Sequence, residues 1–229
     1  MKLKGFLFLI IIPFILSCNN TSNKTSFIKK TTGRYLYNSD ELIEVYFKKN
    51  ILHLKWRGAT AIKPLKLNDN TFFVKEMNEK IQFLTSPLNK KTYIVLVPKE
   101  KGKSIIYNYK KLEVNEKIPS EYLKNGEYSK ALQGYLAIQK KDSLDNAIKE
   151  SDFNSLGYKE LHNKNFKKAI QLFNINVALH PNSSNVYDSL AEAYMKSGDT
   201  VNAISNYKKS LTLDSGNKRA KRNIKKLKN

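Results

Sequence analysis

With a single cysteine, Cys18, in 229 residues, the chain can form no internal disulfide and cannot build a multi-thiolate metal site. The three histidines, His53, His162 and His180, have no second His or Cys at ligand spacing, and Phe166 stands four residues after His162, so neither metal nor cofactor is implied. Only Arg34, Arg57, Arg219 and Arg222 among 41 basic residues are arginines, whereas phosphate and base recognition favours Arg. The lysines are scattered through every segment, so the formal charge of +21 has no focus and nucleic acid is not the expected partner. A Gly-x-Ser-x-Gly elbow is absent. The Ser-x-x-Lys strings at Ser26, Ser205 and Ser215 fall in a polar leader, a repeat helix and a turn, and no enzyme is expected. No apolar run approaches the twenty or so residues of a membrane span; the longest, Phe6 to Leu16, is broken by Pro13.

What is present begins at that run. Lys2 and Lys4 precede it and Ser17-Cys18 follow it, an arrangement that reads as a signal peptide over 1–17. Ile15-Leu16-Ser17-Cys18 resembles the lipobox of bacterial lipoproteins. The resemblance implies diacylglycerol on the Cys18 thiol, cleavage before it and acylation of the new amine, so that several acyl chains hold the protein to a membrane. Asn19 in the following position implies the outer membrane, and the absence of an acidic cluster favours a periplasm-facing orientation. Residues 18–31, rich in Ser, Thr, Asn and Lys, are expected to form a flexible tether.

Over 32–114 the apolar period becomes two, as in Ile43, Val45, Phe47 and Leu52, Leu54, Trp56 on either side of Lys48-Lys49-Asn50. Eight short strands are expected, at Gly33–Tyr37, Ile43–Phe47, Leu52–Trp56, Lys63–Leu67, Thr71–Glu76, Lys80–Thr85, Thr92–Pro98 and Ser104–Lys111. They make an antiparallel meander curled into a sandwich or small barrel, with a filled interior preferred over a ligand cavity. Thr32-Gly33-Arg34-Tyr35, Leu52-x-Leu54, Thr71-Phe72-Phe73, Ile81-x-Phe83 and Tyr107-x-Tyr109-x-Lys111 resemble the lipocalin-like β-domain appended to secreted serine hydrolases of the beta-lactamase and penicillin-binding class. In that family the domain is an accessory without catalytic residues.

From 118 to 229 the period is helical, and an offset of 34 places Phe153 over Tyr187, Leu156 over Leu190, Gly157 over Ala191, Ala169 over Ala203 and Phe173 over Tyr207. That period with those residue types resembles tetratricopeptide (TPR) repeats. It implies a partial repeat over 118–147, full repeats over 150–183 and 184–217, and a capping helix over 218–229. The cations of the last segment, Lys218, Arg219, Lys221, Arg222, Lys225, Lys226 and Lys228, read as its solvated face. The expected fold is therefore α+β, an antiparallel β meander or small barrel followed by a TPR α-solenoid.

Ligand contacts in TPR proteins come from the first helix of each repeat. By position the resemblance implies Asn154 and Tyr158 in one repeat and Asp188, Glu192 and Lys196 in the next, with Asp188 and Glu192 one helical turn apart and facing an open groove. The β-domain and tail together resemble the accessory half of a secreted serine hydrolase without the hydrolase. The expected function is a non-enzymatic envelope lipoprotein that binds a protein or peptide through this groove. Two alternatives stand beside it: a subunit regulating a separately encoded hydrolase, and a carrier of a small apolar ligand in the β-domain.

Overall fold

The computed structural model describes residues 22–100 and 102–228, so the signal peptide and Cys18 lie outside the described residues. A mixed architecture results, antiparallel sheets first and a helical region after them. Strands β1 (Gly33–Asn38), β2 (Glu41–Lys48), β3 (Ile51–Trp56) and β4 (Ala59–Ile62) form one antiparallel meander. Strands β5 (Leu65–Lys66), β6 (Thr71–Val74), β7 (Glu79–Thr85), β8 (Thr92–Leu96) and β9 (Tyr109–Lys110) form a second. Lys49 and Asn50, with φ of 48° and 60°, make the two-residue turn between β2 and β3, the left-handed pair whose twist suits a hairpin.

Alternation sends Tyr35, Ile43, Val45, Leu52 and Leu54 inward from the first sheet and Phe72, Val74, Ile81, Phe83 and Ile94 from the second, each at most 5% exposed. Burying side chains of this size contributes about 1.5–3 kcal/mol apiece, and here they fill the space between the sheets. The barrel is not closed. On one side the sheets meet through a bridge between Tyr35 and Lys111 and the Leu112 amide donating to the Arg34 carbonyl at 2.8 Å. On the other, β4 and β5 do not pair, because Pro64 between them has no N–H to give and turns the chain from one sheet to the next. The expected strand at Ser104–Lys111 pairs only at its end, Tyr109 and Lys110 in β9 and Lys111 in the bridge to Tyr35, and β4 lies outside every expected strand.

The expected tether is partly folded. Residues Thr25–Thr31 form helix α1. Its Phe27 packs against Phe47 of the first sheet and Phe72 and Phe83 of the second, with ring centroids 6.1, 5.9 and 5.5 Å apart. The Tyr35 hydroxyl donates to the Thr31 carbonyl at 2.8 Å, and Asn23 donates to the Asn50 carbonyl at 2.9 Å. One apolar ring in a polar segment finds the open end of the sandwich, and that burial offsets the entropy of ordering its neighbours.

Helices α2 (Pro119–Lys124) and α3 (Tyr128–Lys141) follow, then a 3-10 turn at Asn146–Ile148. Two helix pairs come next, α4 (Glu150–His162) with α5 (Phe166–Leu179) and α6 (Ser184–Lys196) with α7 (Thr200–Leu213), and α8 (Lys218–Lys228) is last. A Cβ on Gly157 would stand 2.5 Å from Phe173 Cε1, so the ring of α5 lies directly on the backbone of α4. One repeat later Ala191 and Tyr207 stand at the equivalent positions, fully buried in one cluster, and Ala203 is fully buried as well. Gly198, with φ of 86°, ends α6 in the left-handed conformation. Ala220, Ile224 and Leu227 of α8 close the last exposed apolar face beside Tyr207, Met195 and Leu211.

α2 has six residues where α4 and α6 have 13. Leu112 and Ile118, which precede it, are buried in non-helical chain, and the turn between β1 and β2 enters the place its first turns would take. There Asp40 accepts the Ser120 amide at 2.8 Å with one oxygen and the Tyr135 hydroxyl at 3.0 Å with the other. Ser39 bonds Asp145, and Arg34 bonds Glu121 and, at 3.2 Å, the Glu116 carbonyl. Sheets and helices are thus joined by partly buried polar contacts, not by a linker.

Candidate functional site

Helices α4, α6 and α8 lie side by side, each the first of its pair or, for α8, in the corresponding place. The 34-residue period turns Tyr158 of α4 and Glu192 of α6 toward each other, and the Tyr158 hydroxyl donates to Glu192 Oε2 at 3.1 Å. Asp188, one turn before Glu192, has a side chain only 7% exposed. A carboxylate so deep needs a cation or several donors to stay ionised.

Arg219 of α8 supplies them, and its seat is a correction to the expected solvated face. Its Nε donates to Asp188 Oδ2 at 2.5 Å, and its Nη2 contacts the same oxygen. Nη1 donates to Glu192 Oε2 at 2.8 Å, and Nη1 and Nη2 both reach the Tyr158 hydroxyl at 3.3 Å. All three donor nitrogens of the guanidinium are engaged, with one neutral and two anionic partners around it. Burial lowers the basicity of Arg219, but the Asp188 and Tyr158 bonds outweigh it and hold the group above its ordinary value. Burial also raises the Tyr158 phenol, against the opposing pull of Ser189 and Arg219.

Of the five residues placed at the groove by resemblance, the structure brings Tyr158, Asp188 and Glu192 into one cluster. Lys196 stays exposed, with Nζ 3.8 Å from Glu192 Oε1. Asn154 is half-buried one turn before Tyr158, and its Oδ1 has no hydrogen-bond partner among the described residues. The groove is therefore not open at Asp188 and Glu192: α8 covers both. Sequence reasoning missed Arg219, although a signal existed. In a chain that uses lysine almost everywhere, an arginine marks a site that needs a planar fork. Three of the four arginines follow that rule, Arg34 on Glu121, Arg57 on Glu41 at 2.9 Å and Arg219 on Asp188, while Arg222 is exposed.

A second concavity opens where the short α2 parts from α4, a cavity of about 520 Å³ lined by Leu123, Tyr128, Leu156 and Leu172 with Lys124 and Lys168 at its rim. A cavity of about 400 Å³ continues it toward Asp40 and Phe153. Its cause is a missing pair of helical turns, which no motif announces.

The serines of the Ser-x-x-Lys strings, Ser26, Ser205 and Ser215, are all exposed. His53 and His180 bond backbone carbonyls of Ile51 and Ile148 at 3.0 and 2.8 Å, and no group of three or more potential metal ligands exists among the described residues. No described helix is long and apolar enough to cross a membrane.

No family model matches the chain, and no curated protein does. Among solved structures, the second TPR domain of the human RPAP3 protein, in complex with an HSP70 peptide, is 19% identical and covers 48% of this chain and 89% of its own, with a TM-score of 0.35. The Arabidopsis OM64 TPR domain is 19% identical over 48% of this chain and 88% of its own, at 0.35. A mutant of MamA is 18% identical over 48% and 77%, at 0.37. These scores carry no weight of their own; the helical repeat rests on the 34-residue period and on the pairing of α4 with α5 and α6 with α7.

Proposed function

We propose that this chain is a non-enzymatic lipoprotein of the cell envelope that binds a protein or peptide through a TPR-type concave face. The observation that carries the reading is the convergence of Tyr158, Asp188 and Glu192 from successive first helices onto one guanidinium. Helical pairs that present aligned polar side chains on one side are suited to clamping an extended segment by its side chains and backbone. The sheets act as a base: the Asp40 joint ties the turn between β1 and β2 to the start of α2 and to Tyr135 of α3. By the lipobox resemblance Cys18 carries acyl chains and sits in the outer membrane, with the folded part toward the periplasm. The side-chain-filled space between the sheets gives the ligand-carrier alternative no support.

Affinity capture from detergent-solubilised envelope, with the full-length chain as bait, tests this. A partner retained by the unaltered chain and lost on Tyr158→Ala with Glu192→Ala is the expected result. Retention that ignores both substitutions sinks the groove reading, and a single retained serine hydrolase shifts it to the regulatory-subunit alternative.

A further inference from the structure

The cluster of Tyr158, Asp188 and Glu192 is more than an internal tie. We infer that it is a receptor for one arginine side chain of a protein partner, and that Arg219 fills it in cis as a displaceable stand-in; this rests on the concave face being the binding face.

Three observations carry it. The receptor is shaped for a guanidinium: Asp188, Glu192 and Tyr158 engage Nε, Nη1 and Nη2 together, a demand that a lysine ammonium cannot meet. It also has acceptor capacity that Arg219 leaves unused. Asp188 Oδ1 is buried without a partner among the described residues, as is Asn154 Oδ1 on the neighbouring helix, and a buried acceptor left bare is costly. A bound segment brings backbone N–H groups beside its arginine, which are the donors these atoms lack. Finally, α8 is held along one narrow face, by Ala220, Ile224 and Leu227 against Tyr207, Met195 and Leu211 and by the Asn223 amide donating to the Tyr207 hydroxyl at 2.8 Å, while its remaining surface carries charge of one sign. Only Ala220 of its residues is buried, seven of its eleven residues are cations with no acid among them, and like charges recur at i and i+4 in Lys218 and Arg222, Lys221 and Lys225, and Arg222 and Lys226. Arg219 is the cation of α8 that finds carboxylates among the described residues, so the bond that closes the site adds to the apolar seat of the helix and is the part of it that an external arginine can replace.

A stand-in reduces the apparent affinity for an external arginine by the fraction of molecules in which the site is empty. Removing it must therefore raise affinity. The test is fluorescence anisotropy on the full-length chain in detergent, with a labelled Ser-Gly-Arg-Gly-Ser peptide and its lysine counterpart as probes. Arg219→Ala is expected to bind the arginine peptide at least about tenfold more tightly than the unaltered chain does. The lysine peptide should gain nothing, and adding Asp188→Asn should abolish the gain. In the same variant ethylguanidinium chloride should raise the melting temperature, while ethylammonium chloride at equal ionic strength should not. No gain on Arg219→Ala, or equal gain for both peptides, overturns the inference. If Arg219→Ala does not fold, Arg219→Lys, which keeps the charge without the fork, carries the same measurement with the same two outcomes. A partner captured by the unaltered chain that also binds Asp188→Asn undiminished overturns this inference while leaving the interaction function standing.

Discussion

Replacing Asp40 by alanine should uncouple the sheets from the helices. Its carboxylate takes the Ser120 amide at 2.8 Å, at the start of α2, and the Tyr135 hydroxyl at 3.0 Å; Tyr135 is 3% exposed. A hydrogen bond to a charged group is worth about 1.5–3 kcal/mol, and two such bonds are lost together. Water can reach both Ser120 and Tyr135 through the adjoining cavity of about 400 Å³, which offsets part of the loss. The expected loss is about 2–4 kcal/mol. Trp56, the only tryptophan, lies in β3 and reports the sheets by fluorescence, while far-ultraviolet circular dichroism reports the helices. In urea the two signals should coincide for the unaltered chain and separate for Asp40→Ala. Asp40→Asn adds a check on sign. Burial, opposed by the bonds from Ser120 and Tyr135, raises the Asp40 carboxyl above its ordinary 3.8. Between that value and the raised one the folded state binds more protons than the unfolded, so stability falls as pH rises through the window. Asparagine cannot ionise. The stability of the unaltered chain relative to Asp40→Asn should therefore be greater at about pH 3 than at about pH 6. Coincident transitions in Asp40→Ala with a loss under about 0.5 kcal/mol would refute the joint.

Three further outcomes are expected. Gly157→Ala sets a methyl 2.5 Å from Phe173 Cε1 and should cost about 1–3 kcal/mol in urea unfolding followed by circular dichroism, whereas Ala191→Gly at the equivalent place should cost less. Phe27→Ala should cost about 2–3 kcal/mol, less than the roughly 3–5 kcal/mol of a fully buried Phe because the ring is only partly buried, and should make 22–31 the first segment cut in limited proteolysis. Incorporation of a palmitate analogue should be lost on Cys18→Ala and kept on Ser17→Ala; unlabelled native protein would remove the envelope placement.

The site was half legible. Tyr158, Asp188 and Glu192 could be named because the 34-residue repeat carries positions from one helix pair to the next. For Arg219 the use of arginine in a lysine-rich chain was a signal, but one shared with Arg222 in the same run, and its partner Asp188 lies 31 residues away on another element. α1 was read as tether because composition averages over a segment, and Phe27 acts as a single residue against rings drawn from both sheets.

Local physics determined what sequence alone can state: period two gives strands with an inward face, period 3.6 with small residues at fixed offsets gives close helix pairs, and Gly198 ends one of them. Each of these depends on residues a few places apart. What tertiary structure decided depends on residues brought together from far along the chain: the open seam at Pro64, the Asp40 joint that replaces two missing turns of α2, and the arginine that fills the groove. Those are contests between alternative burials of polar groups, and such contests are settled only when every competing partner has a position in space.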